Sequence, residues 1–404
     1  MRRIFLLSFA FISVAGCNCG ATRLRESAGD CDVNPAQCDP PPTVDIEPVI
    51  DAGVTDKRVC KDFGTVTGRV CAPDKQTWVN GADVSVDALD CNGDKVHVST
   101  VSGSDGSFEL SGIPNGSWVV HAQSGAFSQD IPVNITPNQT VALADNELCV
   151  AQRQVKIAVV TGMGDQIENL LTNLNLTFDL FGGDYTKYAT EAAPFLTDLQ
   201  KMKQYDLIFI NCAAAKNFND IDLGSNASTI EKNLHDYVAQ GGSIYASDWA
   251  LLFAVYAQPG GLDFLTSTGG NVSSPLNTQH LMGYAPQSVS ATVKDPGLAA
   301  FLGKSTMSIN FPKQSGAMSL HWGLMQTVAP NAKILVEAPS VKVCDGSANC
   351  AATSSSATNV PLAAQIKLTP DDQRGGRIIY TSFHNVAQSG SDVAQTLKYL
   401  VLHL

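Results

Sequence analysis

The sequence predicts a multidomain chain in which a small antiparallel β-sandwich precedes an α/β domain on a doubly wound parallel sheet. Three observations carry this expectation. From Cys60 to about Val150, short alternating segments are separated by turn signals, the pattern of half-buried antiparallel strands. Beyond residue 151 the pattern switches to nearly continuous apolar runs, suited to strands buried on both faces, that alternate with amphipathic helices. The chain has 404 residues, 44% hydrophobic and 16% charged, which is enough for two cores.

The elements begin with an export signal. Arg2-Arg3 precede an apolar run from Ile4 to Val14 that is too short to span a bilayer, and small residues follow it. The tetrapeptide Val14-Ala15-Gly16-Cys17 resembles the lipobox of bacterial lipoproteins. That resemblance implies a signal peptide over 1–16, cleavage before Cys17 and lipidation of its thiol. Two or three acyl chains, at about 0.8 kcal/mol per buried methylene, would then hold the chain on a membrane. Asn18 stands where an aspartate often marks inner-membrane retention. The resemblance therefore implies the outer membrane, periplasmic or surface facing. Residues 17–58 contain Pro40-Pro41-Pro42 and little apolar periodicity, as expected of a disordered tether.

Charge and cysteine content narrow the partners. The net charge is -12 with no run of Lys and Arg, so nucleic acid is not an expected partner. Eleven cysteines in an exported chain, ten after lipidation of Cys17, read as up to five disulfides. Cys31 with Cys38, Cys344 with Cys350, Cys71 with Cys91 and Cys60 with Cys149 are the expected pairs, although connectivity stays open. No pair of closely spaced cysteines is followed by a matching second pair or by paired histidines, so a zinc site built on the cysteines is not expected, and with no Gly-x-Gly-x-x-Gly loop, Walker loop or His-Glu-x-x-His no cofactor is expected.

Within residues 59–150, Thr65 to Val70 and Asp83 to Leu89 alternate, and Phe108-Glu109-Leu110 and Trp118-Val119-Val120 follow glycine-containing turns. The stretch from Val101 to Ala122, with Asp105-Gly106 before Phe108-Glu109-Leu110 and Ile113-Pro114-Asn115-Gly116 at the next hairpin, resembles the carboxypeptidase regulatory-like domain. The resemblance implies a transthyretin-like sandwich acting as a spacer or adhesion module, a fold whose relatives include carbohydrate binders. Trp78 and Trp118 are expected to be core rather than sugar-stacking platforms.

Residues 151–404 begin with the apolar run Val155 to Val160, then a helix from Ile167 to Leu176 and a strand at Leu207 to Ile210. A helix from about Thr229 to Ala239 stops at Gly241-Gly242 and feeds a strand from Ser243 to Ala246. A strand precedes His384 near the end, and a closing helix runs from about Asp392 to His403. The blocks Leu234 to Ala250 and Ile379 to Asn385 resemble the class I glutamine amidotransferase-like fold. The resemblance spans about residues 154 to 404, with an irregular insertion at about 258–372, and implies a flavodoxin-like sheet.

The same resemblance assigns a degenerate catalytic site. His384 matches the catalytic histidine, but the nucleophile position falls on Asp248, its flanking glycines become Ala246 and Ala250, and the glutamate position becomes Val386. A carboxylate is a poor nucleophile toward an amide, so glutaminase activity is not expected. Cys212 ends a different strand and reads as buried or disulfide-bonded. At the carboxyl edge of such a sheet, where ligands bind, Asn211, Ser247, Asp248, Trp249, His384 and Asn385 form the expected binding cluster, with Thr161 and Asp165 beside it. A metal held by Asp248, His384 and one of His280 or His321 is conceivable, but nothing in their spacing requires it.

These readings lead to a membrane-anchored envelope lipoprotein that binds a glycan, peptide or protein partner without catalysis. The alternative is a hydrolase using Asp248 and His384 as acid and base, with a saccharide among its candidate substrates. An open pocket with the two groups within about 3 Å, directly or through one water, would separate the two.

Overall fold

Alternation in the first half of the chain is realised as strands with one face more buried than the other. In the computed structural model, which describes residues 59–404 except 215–222, 265–281, 313–320, 345–355, 369–375, 387 and 389, β1 is Phe63–Cys71, β2 Asp83–Leu89, β3 Lys95–Val101 and β4 Ser107–Pro114. They are followed by β5 Gly116–Ser124, β6 Phe127–Ile135, β7 Thr140–Ala142 and β8 Leu148–Cys149. The expected signal peptide, Cys17, the tether and the Cys31–Cys38 and Cys344–Cys350 pairs lie wholly or partly outside the described residues. Among those residues, no helix is long and apolar enough to cross a membrane.

Two four-stranded sheets face each other, one ordered β4-β1-β7 with β8 also on β1, the other β3-β2-β5-β6. Val84, Val86 and Ala88 on β2 point inward and meet Val66, Phe108, Leu110 and Phe127. Pairing is antiparallel except that β7 and β8 run parallel to β1. That exception changes the disulfides. Cys71 and Cys149 sit directly opposite each other in the β1/β8 register and are bonded, and Cys60 is bonded to Cys91. The expected partners are thus exchanged, because a parallel return of β8 to β1 leaves no signature in cysteine spacing. Trp78 and Trp118 are half-buried; the Arg69 guanidinium lies over the Trp78 ring, and the Trp118 indole N–H donates to Pro114 O at 2.6 Å.

Continuous apolar runs build the second half. β9 Ile157–Val160 leads to α1 Ile167–Asn173 and β10 Asp179–Phe181; α2 Ala192–Leu196 and α3 Leu199–Met202 lead to β11 Leu207–Ile210. α4 Ala227–Ala239 feeds β12 Ser243–Ser247, and α5 Leu251–Ala257 follows. The parallel strands of this part are ordered β10-β9-β11-β12, and every residue of β9, β11 and β12 is buried.

Among the described residues between 258 and 372, the expected irregular insertion is largely strand. It contains β13 Leu262–Phe264, β14 Met282–Tyr284, β15 Gln287–Val293, α6 Pro296–Leu302, β16 Thr306–Phe311, β17 His321–Trp322, β18 Met325–Val328, β19 Ala332–Cys344 and β20 Ser356–Lys367. β21 Arg377–Thr381 lies parallel to β12, and α7 Asp392–Leu402 closes the described chain. The sheet then continues antiparallel from β21 through β20 and β19 to β14 and β15, reaching 11 strands among the described residues. A purely parallel sheet is therefore corrected to a mixed one. Alternation in β15 leaves one face free to pack, and β16 pairs along its length.

The sandwich packs directly on this body. Ser124 Oγ donates to Leu402 O at 2.8 Å, Ala126 N–H donates to Leu404 O at 2.8 Å, and Asn80 Nδ2 donates to Gly297 O at 2.7 Å.

Candidate functional site

Parallel strands that share a direction deliver their carboxyl ends to one edge, and here three neighbours, β11, β12 and β21, deliver Cys212, Asp248 and His384. The chain turns sharply from β12 into helix at Asp248, whose φ of 45° lies in the left-handed region. The turn aims its carboxylate back across the strand ends. Asp248 Oδ1 accepts from Gly323 N–H at 2.7 Å, while Oδ2 lies 3.5 Å from Cys212 Sγ and 3.8 Å from His384 Nε2. Tyr380 donates its hydroxyl to Asp248 O at 2.9 Å and fixes the turn.

A second set of bonds ties these loops together. Ser247 Oγ donates to Asp165 Oδ2 at 2.7 Å and accepts from Cys212 N–H at 3.0 Å. The other Asp165 oxygen accepts from the backbone N–H groups of Gln166 and Asn385. Asn211 Nδ2 donates to Glu168 Oε2 at 2.8 Å, and Asn385 Nδ2 donates to Gln166 O at 2.8 Å. Thr161 faces elsewhere, its hydroxyl accepting from Gly183 N–H at 3.2 Å.

The expected residues therefore converge, but they converge in the interior. Asp248 is 3% and His384 5% exposed; Asn211 and Ser247 are fully buried, and Asn385 is half-buried. Trp249 packs into the apolar core of the body. The aromatic wall of the remaining crevice comes from Phe311 and Trp322, stacked with centroids 4.0 Å apart. Both belong to the insertion, which covers the strand ends and leaves a cavity of about 10 Å³ beside Asp248 and His384. That is room for about one water.

Burial also sets the electrostatics. It pushes the Asp248 carboxyl up to about 6, against the opposing pull of His384 and the Gly323 N–H. Burial, with the nearby Asp248 charge adding to it, holds the Cys212 thiol well above its usual range. A thiol so placed is the protonated, unreactive form. Cys212 is the site member that sequence reasoning missed, because only the spatial order of the strands places β11 beside β12. His280 and the side chain of His321 lie outside the described residues.

Open concave surface occurs instead at the amino ends of the parallel strands. A cavity of about 440 Å³ there is lined by Gln123, Lys203, Tyr205, Asp206 and Gln240 among others. An adjoining one of about 650 Å³ shares Val155 and Tyr205 and adds Arg153, Thr177 and Asp179.

No protein-family model matches the chain, and no curated protein matches it. Among solved structures, a ThuA-like protein from Bacteroides uniformis is similar at 12% identity and a TM-score of 0.37, over 62% of this chain and 89% of that one. A glutamine amidotransferase from Thermotoga maritima is similar at 8% identity and a TM-score of 0.32, over 61% and 81%. The major pilin subunit BcpA of Bacillus cereus is similar at 22% identity and a TM-score of 0.17, over 20% of this chain and 29% of that one.

Proposed function

We propose that the chain is an outer-membrane lipoprotein, anchored through lipid on Cys17, whose folded body binds a glycan, peptide or protein partner and turns nothing over. The observation that supports the non-catalytic reading is the filled crevice. Asp248 and His384 are buried beneath Phe311 and Trp322, with about 10 Å³ beside them. General acid–base work needs both groups within reach of a substrate. A partner reaching the cluster of Asn211, Ser247, Asp248, Trp249, His384 and Asn385 requires that cover to lift. The grooves around Tyr205, with an aromatic ring among amide, carboxylate and amino groups, offer contact surface without such movement.

The hydrolase reading rests on the 3.8 Å approach of His384 to Asp248 and on a carboxyl held at about 6, near the range of a general acid. A panel of amides, esters and glycosides distinguishes the two. Wild type and Asp248→Asn are expected to give the same background rate. Wild-type turnover lost in both Asp248→Asn and His384→Ala, with melting temperatures unchanged, promotes the hydrolase.

Anchoring has its own test. Cys17→Ala is expected to move the protein from the membrane fraction to the soluble fraction and to abolish incorporation of a fatty-acid analogue. Membrane association of the unlabelled variant would remove the lipoprotein reading.

A further inference from the structure

The non-catalytic reading leaves three side chains of metal-ligand type buried side by side at the carboxyl edge of the sheet. Cys212 is a free thiol, and its donor atom lies with those of Asp248 and His384 in a set whose members are all within 4.8 Å of one another. We propose that Cys212, Asp248 and His384 bind a single zinc ion at the carboxyl edge of the parallel sheet.

Geometry carries the proposal. With Oδ2 of Asp248 at 3.5 Å from sulfur and 3.8 Å from Nε2, and the third side no longer than 4.8 Å, a point about 2.4 Å from each donor lies in the plane of the three. Zinc bonds to thiolate, imidazole and carboxylate measure about 2.0 to 2.3 Å, so each donor moves in by a few tenths of an ångström, and sulfur and imidazole approach each other by up to about 1.2 Å to reach tetrahedral angles. Tetrahedral zinc itself separates a sulfur and an oxygen ligand by about 3.5 Å, the spacing found between Cys212 and Asp248. The adjoining cavity of about 10 Å³ holds one small fourth ligand such as water.

The supporting bonds point the same way. Gly323 N–H occupies Oδ1 of Asp248 and leaves Oδ2 toward the other two donors, while Ser247 and Asp165 hold the Cys212 backbone. The donor set also selects the metal, since a sulfur and an imidazole suit zinc and other late divalent ions but not magnesium or calcium. On binding, the Cys212 thiol releases its proton to solvent, and one thiolate and one carboxylate balance the two positive charges beside a neutral imidazole. The buried site becomes neutral overall, which suits its surroundings.

Cobalt(II) provides the test in the full-length chain. The wild type, freed of metal by prolonged chelation and then equilibrated with cobalt, is expected to hold one ion through gel filtration and to show a sulfur-to-metal charge-transfer band. In Cys212→Ser the band disappears and affinity falls at least tenfold; in His384→Gln the band remains while affinity falls by a similar factor. Should Cys212→Ser fail to fold, His384→Gln decides alone. Absence of stoichiometric uptake by wild type, persistence of the band in Cys212→Ser, or unchanged affinity in His384→Gln would overturn the site while leaving the turnover and anchoring results untouched.

Discussion

Replacing Cys71 and Cys149 together by alanine lowers the folding free energy by about 4 kcal/mol. The bond closes a loop of 78 residues, and in the chain-entropy account a loop of that length removes roughly this much from the unfolded ensemble. It also fastens β8, only two residues long, to the end of β1. Both cysteines are buried, so the pair adds packing as well as linkage. The Cys60–Cys91 bond closes 31 residues and lies at a more exposed corner, so its removal is expected to cost about 1 kcal/mol less. Denaturant titrations of the oxidised wild type and the two paired variants measure both numbers. A loss below about 1 kcal/mol for Cys71/Cys149 would mean that the apolar core alone holds the sandwich.

Gly125→Ala is the second large effect, expected to cost about 3 kcal/mol. Gly125 turns the chain between β5 and β6 at φ 54°, where a side chain already costs about 1 kcal/mol. A Cβ at this position would lie 2.2 Å from Leu404 O and 3.0 Å from both His403 C and Leu402 O, all backbone atoms. Something must therefore shift, and overpacking of this kind adds roughly 1 to 3 kcal/mol. The displaced segment is the seam where Ser124 and Ala126 bond to the last residues. Gly93→Ala is the control, with φ 80° and nothing within 4 Å of its Cβ, so it shows the conformational cost alone. Equal destabilisation of the two variants would mean that the sandwich does not pack on the body at this seam.

The sequence made the regular elements legible where one physical signal dominated. Val155 to Val160 reads as a buried strand because it is apolar on both faces, and Ile157–Val160 is that strand. The stop at Gly241 is equally plain: α4 ends at Ala239, and Gly241 adopts φ 103°, which favours glycine. The closing helix over Asp392–Leu402 follows its apolar face. Pairing was less visible. β19 and β20 extend the sheet through strand neighbours that only the folded chain defines, although Ser288-Val289-Ser290-Ala291 already carries the alternation of β15. The exchanged disulfides have the same origin in the parallel β1/β8 pair. At the site, Asp248 and His384 were singled out by the resemblance of their blocks to the class I glutamine amidotransferase-like motifs, whereas Cys212 needed the order β11-β12-β21, and the covering Phe311 and Trp322 come from a segment read as irregular.

Closure of the crevice is the central claim, and the Cys212 thiol reports on it directly. Alkylation of the native full-length chain with a small thiol reagent, followed by peptide mapping, measures how often the cover lifts. The comparison is made with and without a chelator, so that protection by metal and protection by burial are read separately. With the chelator present, Cys212 is expected to label no faster than the chain unfolds globally, because it is 1% exposed beneath the strand ends. Labelling of Cys212 within the mixing time in native, chelated protein would show an open crevice and contradict the account.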